Sequence, residues 1–185
     1  MKEMLLGITG SIAAYKAAEI ANRLTKKDVL VHTIMTRAAR EFITPLTLQT
    51  LTRNKVYTDM FEPVVYPDVR HISLAQKASL CLIAPATANI IGKLASGIAD
   101  DMLSTVVMAI LNKPVLICPA MNTAMYENPI NQDNMRKLAS YGFRFIEPKE
   151  SRLACGDLGK GALADVDVIV AAVMETLNTT KESSD

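Results

Sequence analysis

The 185-residue chain has no run of lysine or arginine: 20 basic side chains face 19 acidic ones, leaving a formal charge of +1. Gripping nucleic acid or an anionic membrane calls for a basic stripe, so neither partner is expected. Long apolar runs are missing too, although half the residues are hydrophobic. Nothing approaches the roughly 20 residues of a membrane span. Cysteine is scarce. Its three positions, odd in number and widely spaced, exclude a disulfide framework and offer no zinc-site spacing. A cytoplasmic protein with reduced thiols and no metal is the expectation. No repeat or linker interrupts the chain, and a strand-like run begins within three residues of the N-terminus. What remains is one domain over 1–178 with a sizeable core and a short disordered tail over 179–185.

What is present alternates. EMLLGIT, DVLVHTIMT, SLCLIAP, PVLICP and FRFIEP read as strands. Helical spacing runs through SIAAYKAAEIANRLTKK, TRAAREF, PLTLQTLT, HISLAQKA and PINQDNMRKLASYG. ATANIIGKLASGIADDMLSTVVMAILN reads as two helices broken near Gly97, and DVDVIVAAVMETLN as the last helix. Val56–Arg70, with two prolines and no clean period, is expected as a surface loop with short extended pieces. Continuously apolar strands are buried on both faces, which requires helices on both sides of a parallel sheet. The fold expected is a three-layer, doubly wound α/β arrangement of the Rossmann or flavodoxin-like kind. Its ligands sit beyond the carboxyl ends of the strands, where the strand order reverses.

Those ends are where the sequence is unusual. GITGSIAAYK sets Gly7, Gly10 and Ser11 between the first strand and the first helix. Gly10 lets the chain turn tightly, and Ser11 with the amides of the positive helix end can hold an anion. The third glycine of a dinucleotide site and the lysine of a P-loop are both missing. A mononucleotide phosphate therefore fits better, with a plain capped turn as the alternative. Thr36 offers a second hydroxyl at the same edge. PATANIIGKLASGIADDML follows the fourth strand and PAMNTAMYENP the fifth; two prolines, two methionines and two asparagines make the latter a poor helix start. RLACGDLGKGALAD then places three of the eight glycines beside Cys155.

Taken with His71 in VRHISLA, the last three segments resemble the flavin-dependent cysteine decarboxylase family, over nearly the whole chain from about Met4 to about Thr176. Tyr126 stands where that family more usually has tryptophan. The resemblance implies FMN held at Gly10, Ser11 and Ile12, with Thr36 near its phosphate and Ala86, Thr87, Ala88, Asn89 and Ala120 lining the flavin. It implies His71 as a catalytic, base-like residue assisting either the cysteine oxidation or the handling of the carboxylate, and Asn122, beside Met121, as the anchor of the substrate carboxylate. Cys155, between Ala154 and Gly156 on a clamp, is implied as the proton donor. Members are homo-oligomers built on trimers with flavin between subunits, so His71 is expected to act on a flavin held by a neighbour. Relatives are often fused to a ligase that makes the substrate; since this chain ends at Asp185, that activity is expected in a separate protein.

The implied chemistry accounts for the residue types. A cysteine carboxylate leaves slowly because the carbanion has nowhere to place its charge. Oxidising the neighbouring CH2–SH to a thioaldehyde creates an electron sink, and a flavin can take the two electrons and return them. Restoring the resulting enethiol to a saturated thiol needs a proton on carbon. A thiol with an ordinary pKa of about 8.5 carries one at neutral pH. Gly156, Gly159 and Gly161 would let a lid close, with Asp157 or Lys160 orienting it or meeting a substrate phosphate.

Rival readings fit less well. Relatives acting on a peptide's C-terminal cysteine share the Asn-containing motif and the histidine but lack the Ala-Cys-Gly clamp. Flavin prenyltransferases lack the clamp and PAMN alike. A non-catalytic flavin-binding regulatory subunit carries long acidic or disordered extensions, against only KESSD here. The clamp favours a small phosphorylated cysteine conjugate as substrate. Elsewhere His32, inside DVLVHTIM, reads as structural, and Cys81 and Cys118 as core. One of Asp100 and Asp101 reads as a helix cap, and Lys16 as solvated rather than facing a phosphate.

Overall fold

The computed structural model describes residues 2–61, 69–152 and 158–182. Six parallel strands form its centre: β1 (Lys2–Ile8), β2 (Val29–Met35), β3 (Val56–Tyr57), β4 (Cys81–Ala86), β5 (Val115–Pro119) and β6 (Arg144–Phe145). They lie in the order β3-β2-β1-β4-β5-β6. The helices are α1 (Tyr15–Thr25), α2 (Pro45–Thr52), α3 (Arg70–Lys77), α4 (Ala88–Ala95), α5 (Met102–Met108), α6 (Thr123–Glu127), α7 (Pro129–Ser140) and α8 (Val166–Glu182). A separate antiparallel pair joins β7 (Lys149–Arg152) to β8 (Leu158–Ala162).

Alternation along each strand sorts the helices into two layers. Met4, Leu6 and Ile8 of β1 enter a core built with α1, α2 and α8, while Leu5 enters the opposite one with α3, α4, α5 and α7. The helices match that demand: Ala17, Ile20, Ala21 and Leu24 make one buried stripe on α1, at the spacing of a single helical face. Gly7 belongs to this packing, because a Cβ there would overlap the Leu103 side chain of α5. The doubly wound three-layer fold read from the sequence is the fold observed.

Several local expectations need correction. The chain makes a 3-10 turn at Ile12–Ala14 before α1, and TRAAREF forms only a 3-10 turn at Ala38–Glu41, with Ala39 alone buried. FRFIEP contributes just Arg144–Phe145 to the sheet. The last helix does not end at Asn178 but continues to Glu182, into the segment expected as tail. Thr179 helps there, donating its hydroxyl back to Glu175 and Thr176 carbonyls at 3.3 and 3.0 Å. Within the glycine-rich segment, read as a clamp, Leu158–Ala162 form strand β8.

The order reverses between β1 and β4, and Thr9 fastens that point. Its buried hydroxyl donates to the Pro85 carbonyl at 2.7 Å and accepts the Thr87 amide at 3.0 Å. The crevice beyond these two strand ends is where an open α/β sheet places its ligand.

Candidate functional site

A cavity of about 510 Å³ opens there, within the roughly 300–1,000 Å³ of small-molecule and cofactor sites. The first turn contributes Gly10, Ser11 and Ile12, the end of β4 contributes Thr87, and the turn after β5 contributes Ala120, Met121 and Asn122. Tyr15 and Lys16 of α1 and Gly161 and Ala162 of β8 complete the walls. Four segments singled out in the sequence thus meet around one space.

Ser11 is extended (φ −126°, ψ 150°) and accepts the Ala13 amide at 3.3 Å, capping the entry to α1. This sets a hydroxyl at the start of the 3-10 turn that runs into the positive end of α1. Gly10 sits at the centre of the expected tight turn, across which the Ser11 amide donates to the Thr9 carbonyl at 2.9 Å, and a Cβ there would also overlap Ala38. Lys16, expected in solvent, is half-buried and lines the cavity. Its ammonium stands 5.9 Å from the Tyr15 ring centre.

PAMNTAMYENP proves to be a well-made helix entry, contrary to the sequence reading. Asn122 Oδ1 accepts the Ala124 amide at 2.8 Å and caps α6; Asn128 Oδ1 accepts the Ile130 amide at 2.9 Å and caps α7, with Pro129 in its first turn. Both asparagines are strong capping residues. Ala120 is tied to β4 through its amide and the Ala86 carbonyl, 3.0 Å apart. Met121 is tied to β8 by its amide donating to the Gly161 carbonyl at 2.9 Å. The glycines of β8 are packing devices: a Cβ at Gly159 would overlap the Thr123 side chain, and one at Gly161 would overlap the Met121 carbonyl.

Other expected residues lie elsewhere. Thr36 accepts the Ala39 amide at 3.3 Å as a local cap and does not line the cavity. Ala86 is buried in β4, while Ala88 and Asn89 open α4 behind the Thr87 cap; none of the three lines the cavity. His71 is half-buried near the start of α3, also outside the lining. Ala154, Cys155 and Gly156 fall outside the described residues, between β7 and β8.

The bland readings hold. His32 sits 3.2 Å from Glu3 Oε2 and 3.2 Å from the Asn54 amide. Burial pushes the Cys81 thiol up to about 12 and Cys118 higher still, which leaves both unreactive. Asp101 caps α5 in a capping box with Ser104, and Lys93 bridges Asp100 and Asp101 at 2.7 and 3.1 Å. No group of three metal-ligating side chains occurs among the described residues. Sequence reasoning missed Thr9 at the switch point and Tyr15 and Ser151, which also line the cavity. Only Thr9 carried a usable signal, as a lone hydroxyl between a strand end and Gly10.

A family model described as Flavoprotein matches residues 1–178. A probable phosphopantothenoylcysteine decarboxylase of Streptococcus mutans is 49% identical over 177 residues, covering 95% of this chain and 99% of that one. The coenzyme A biosynthesis bifunctional protein CoaBC of Bacillus subtilis is 47% identical over 169 residues; they make up 91% of this chain but 41% of the longer relative. Among solved structures, a mutant PPC decarboxylase complexed with pantothenoylaminoethenethiol superposes with a TM-score of 0.86 at 33% identity, over 94% of this chain and 96% of the other. The FMN-dependent cysteine decarboxylase SpaF gives 0.85 at 31%, over 98% of both chains. The chain belongs to the Flavoprotein family, among the flavin-dependent cysteine decarboxylases.

Proposed function

We propose that the chain is a phosphopantothenoylcysteine decarboxylase that uses FMN, converting 4′-phosphopantothenoylcysteine to 4′-phosphopantetheine and CO2 in coenzyme A biosynthesis. The observation that carries this reading is the convergence of the Gly10–Ser11 turn, Thr87 and the Ala120–Asn122 turn on one cavity at the switch point. The residues present fit a flavin mononucleotide. A hydroxyl and an ammonium, from Ser11 and Lys16, suit a phosphate at the helix end, and Ile12, Ala120 and Met121 give apolar walls for a ring. Bound FMN supplies a two-electron acceptor that also serves as donor.

The chain's own residues supply position and protons. Asn122 presents a side-chain amide at the cavity wall, where it would orient the substrate carboxylate for departure. Shielding by Met121 and Ala120 keeps water from competing for the same polar groups. His71 sits near the start of α3, and the first residues of crossover helices lie at the carboxyl edge of a parallel sheet. We place it against the flavin of a neighbouring copy, in a trimer or an assembly of trimers. Cys155 would deliver the proton to carbon before the final reduction. A cytoplasmic location agrees with this metabolic role, and no helix among the described residues is long and apolar enough to cross a membrane.

Two variants test the assignment. Cys155→Ser should still bleach the flavin and release CO2 but accumulate an oxidised, decarboxylated product. His71→Asn should leave the flavin yellow on substrate addition. Full turnover by the first or normal bleaching by the second removes that residue from its role.

A further inference from the structure

One polar cluster beside the cavity is unused by this chemistry. Tyr126 of α6 is buried and donates its hydroxyl to Glu147 Oε2 at 3.0 Å. Lys160 of β8 reaches the same oxygen at 2.7 Å and holds its ammonium 5.6 Å from the Tyr126 ring centre. Glu147 itself lies between β6 and β7. One carboxylate oxygen therefore joins a helix that begins at Asn122 to a strand that supplies Gly161 and Ala162 to the cavity.

β8 meets α6 at two places. The first is the start of the helix, where Gly159 and Gly161 seat on Thr123 and Met121 and the Met121 amide bonds to Gly161. The second is Lys160, which reaches Tyr126 about one helical turn further on. A single attachment sets distance; a second sets angle. Glu147 and Lys160 are 62% and 39% exposed, so their ion pair adds little to overall stability. Lys160, and then the Tyr126 hydroxyl, hold the Glu147 carboxyl below its ordinary range, keeping it charged as an acceptor for both donors.

We propose that Glu147 is a positioning residue: by gathering Tyr126 and Lys160 on one oxygen, it sets the angle between the Asn122-bearing turn and the β8 wall, and so the span offered to the substrate. The kinetic part of this proposal rests on the decarboxylase reading; the structural part rests on packing alone.

The test compares flavin-loaded full-length Glu147→Ala, Glu147→Gln and Lys160→Met with the parent. Hydrogen exchange over 158–163 without substrate should quicken about tenfold in Glu147→Ala and Lys160→Met. Loss of a substrate-positioning contact acts on binding. With phosphopantothenoylcysteine, KM per bound flavin should rise by about tenfold in both variants, with kcat within about threefold. Glutamine, whose carbonyl still accepts from both donors, should bring exchange and KM to within about threefold of the parent. Parental exchange in Glu147→Ala, faster exchange with parental KM, or a glutamine variant as impaired as alanine overturns the proposal. If the parent itself fails to turn over this substrate, the decarboxylase reading fails on its own, and the exchange comparison alone decides whether Glu147 holds the walls.

Discussion

Asn122 carries a structural and a proposed chemical duty on one short side chain. Its Oδ1 caps α6 through the Ala124 amide, while the residue also lines the cavity. Aspartate would keep an oxygen for the cap but face a substrate carboxylate with like charge, which costs several kcal/mol. Asn122→Asp is therefore expected to melt close to the parent temperature yet lose about two orders of magnitude or more in kcat/KM. Paired thermal melts and steady-state kinetics check this; equal losses in both would mean that the cap alone matters. Asp101 shows the opposite case, a carboxylate with only a structural task. Burial by itself would raise its pKa, but hydrogen bonds from Ser104 and Lys93 outweigh burial and hold the group below its ordinary range. Such an acid binds its proton more weakly folded than unfolded. Its contribution is complete above the unfolded value, near pH 4, and is lost as pH falls through the folded one. Asp101→Ala should cost about 1 kcal/mol at neutral pH, measured by denaturant unfolding. The difference from the parent should shrink below about pH 4.

At the scale of elements, the hairpin of β7 and β8 depends on two glycines for its closeness to the Met121–Thr123 turn. Gly161→Ala would set a methyl against the Met121 carbonyl, and its φ of +152° also disfavours other residues. We expect a loss of about 1–3 kcal/mol, of the size seen for overpacking, together with reduced turnover. Gly92 is the control: it lies inside α4 with only Asn134 Nδ2 nearby, at 3.7 Å. Gly92→Ala should stabilise by roughly 0.5–1 kcal/mol through helix propensity. Thermal melts of the two variants should move in opposite directions. These glycines also mark the limit of what the sequence made legible. Apolar runs such as SLCLIAP and the α1 stripe declare strand and helix locally, because burial leaves a period within a dozen residues. Strand β8 left no such trace, since its pairing with Lys149–Arg152 and its seat on Met121 are non-local. Glycine there reads as loop until the neighbour is seen. Likewise Asn122 and Asn128 looked wasteful as structure because a cap is defined by the helix after it.

Across the whole molecule, the site is an edge feature of the sheet. Ser11, Thr87, Ala120, Met121 and Asn122 come from three strand ends and line one cavity, whereas Thr36, Ala88, Asn89 and His71 stay outside its lining in a single copy. Motif order located the first group, because strand ends gather by topology. The second group is not gathered by the single chain's packing, and assembly is where we place the completion of the site. A cofactor that binds only the folded protein should stabilise it by about 2.7 kcal/mol at a hundredfold excess over its Kd. Adding FMN to flavin-depleted protein should accordingly raise its melting temperature in a concentration-dependent way.

The most direct measurement mixes purified, flavin-loaded protein with phosphopantothenoylcysteine while recording the flavin spectrum and weighing the product by mass spectrometry. The account predicts transient loss of the yellow absorbance, its return, and a product lighter by one CO2 with the mass of phosphopantetheine. An unchanged spectrum with intact substrate, from protein that is folded and carries FMN, would contradict it.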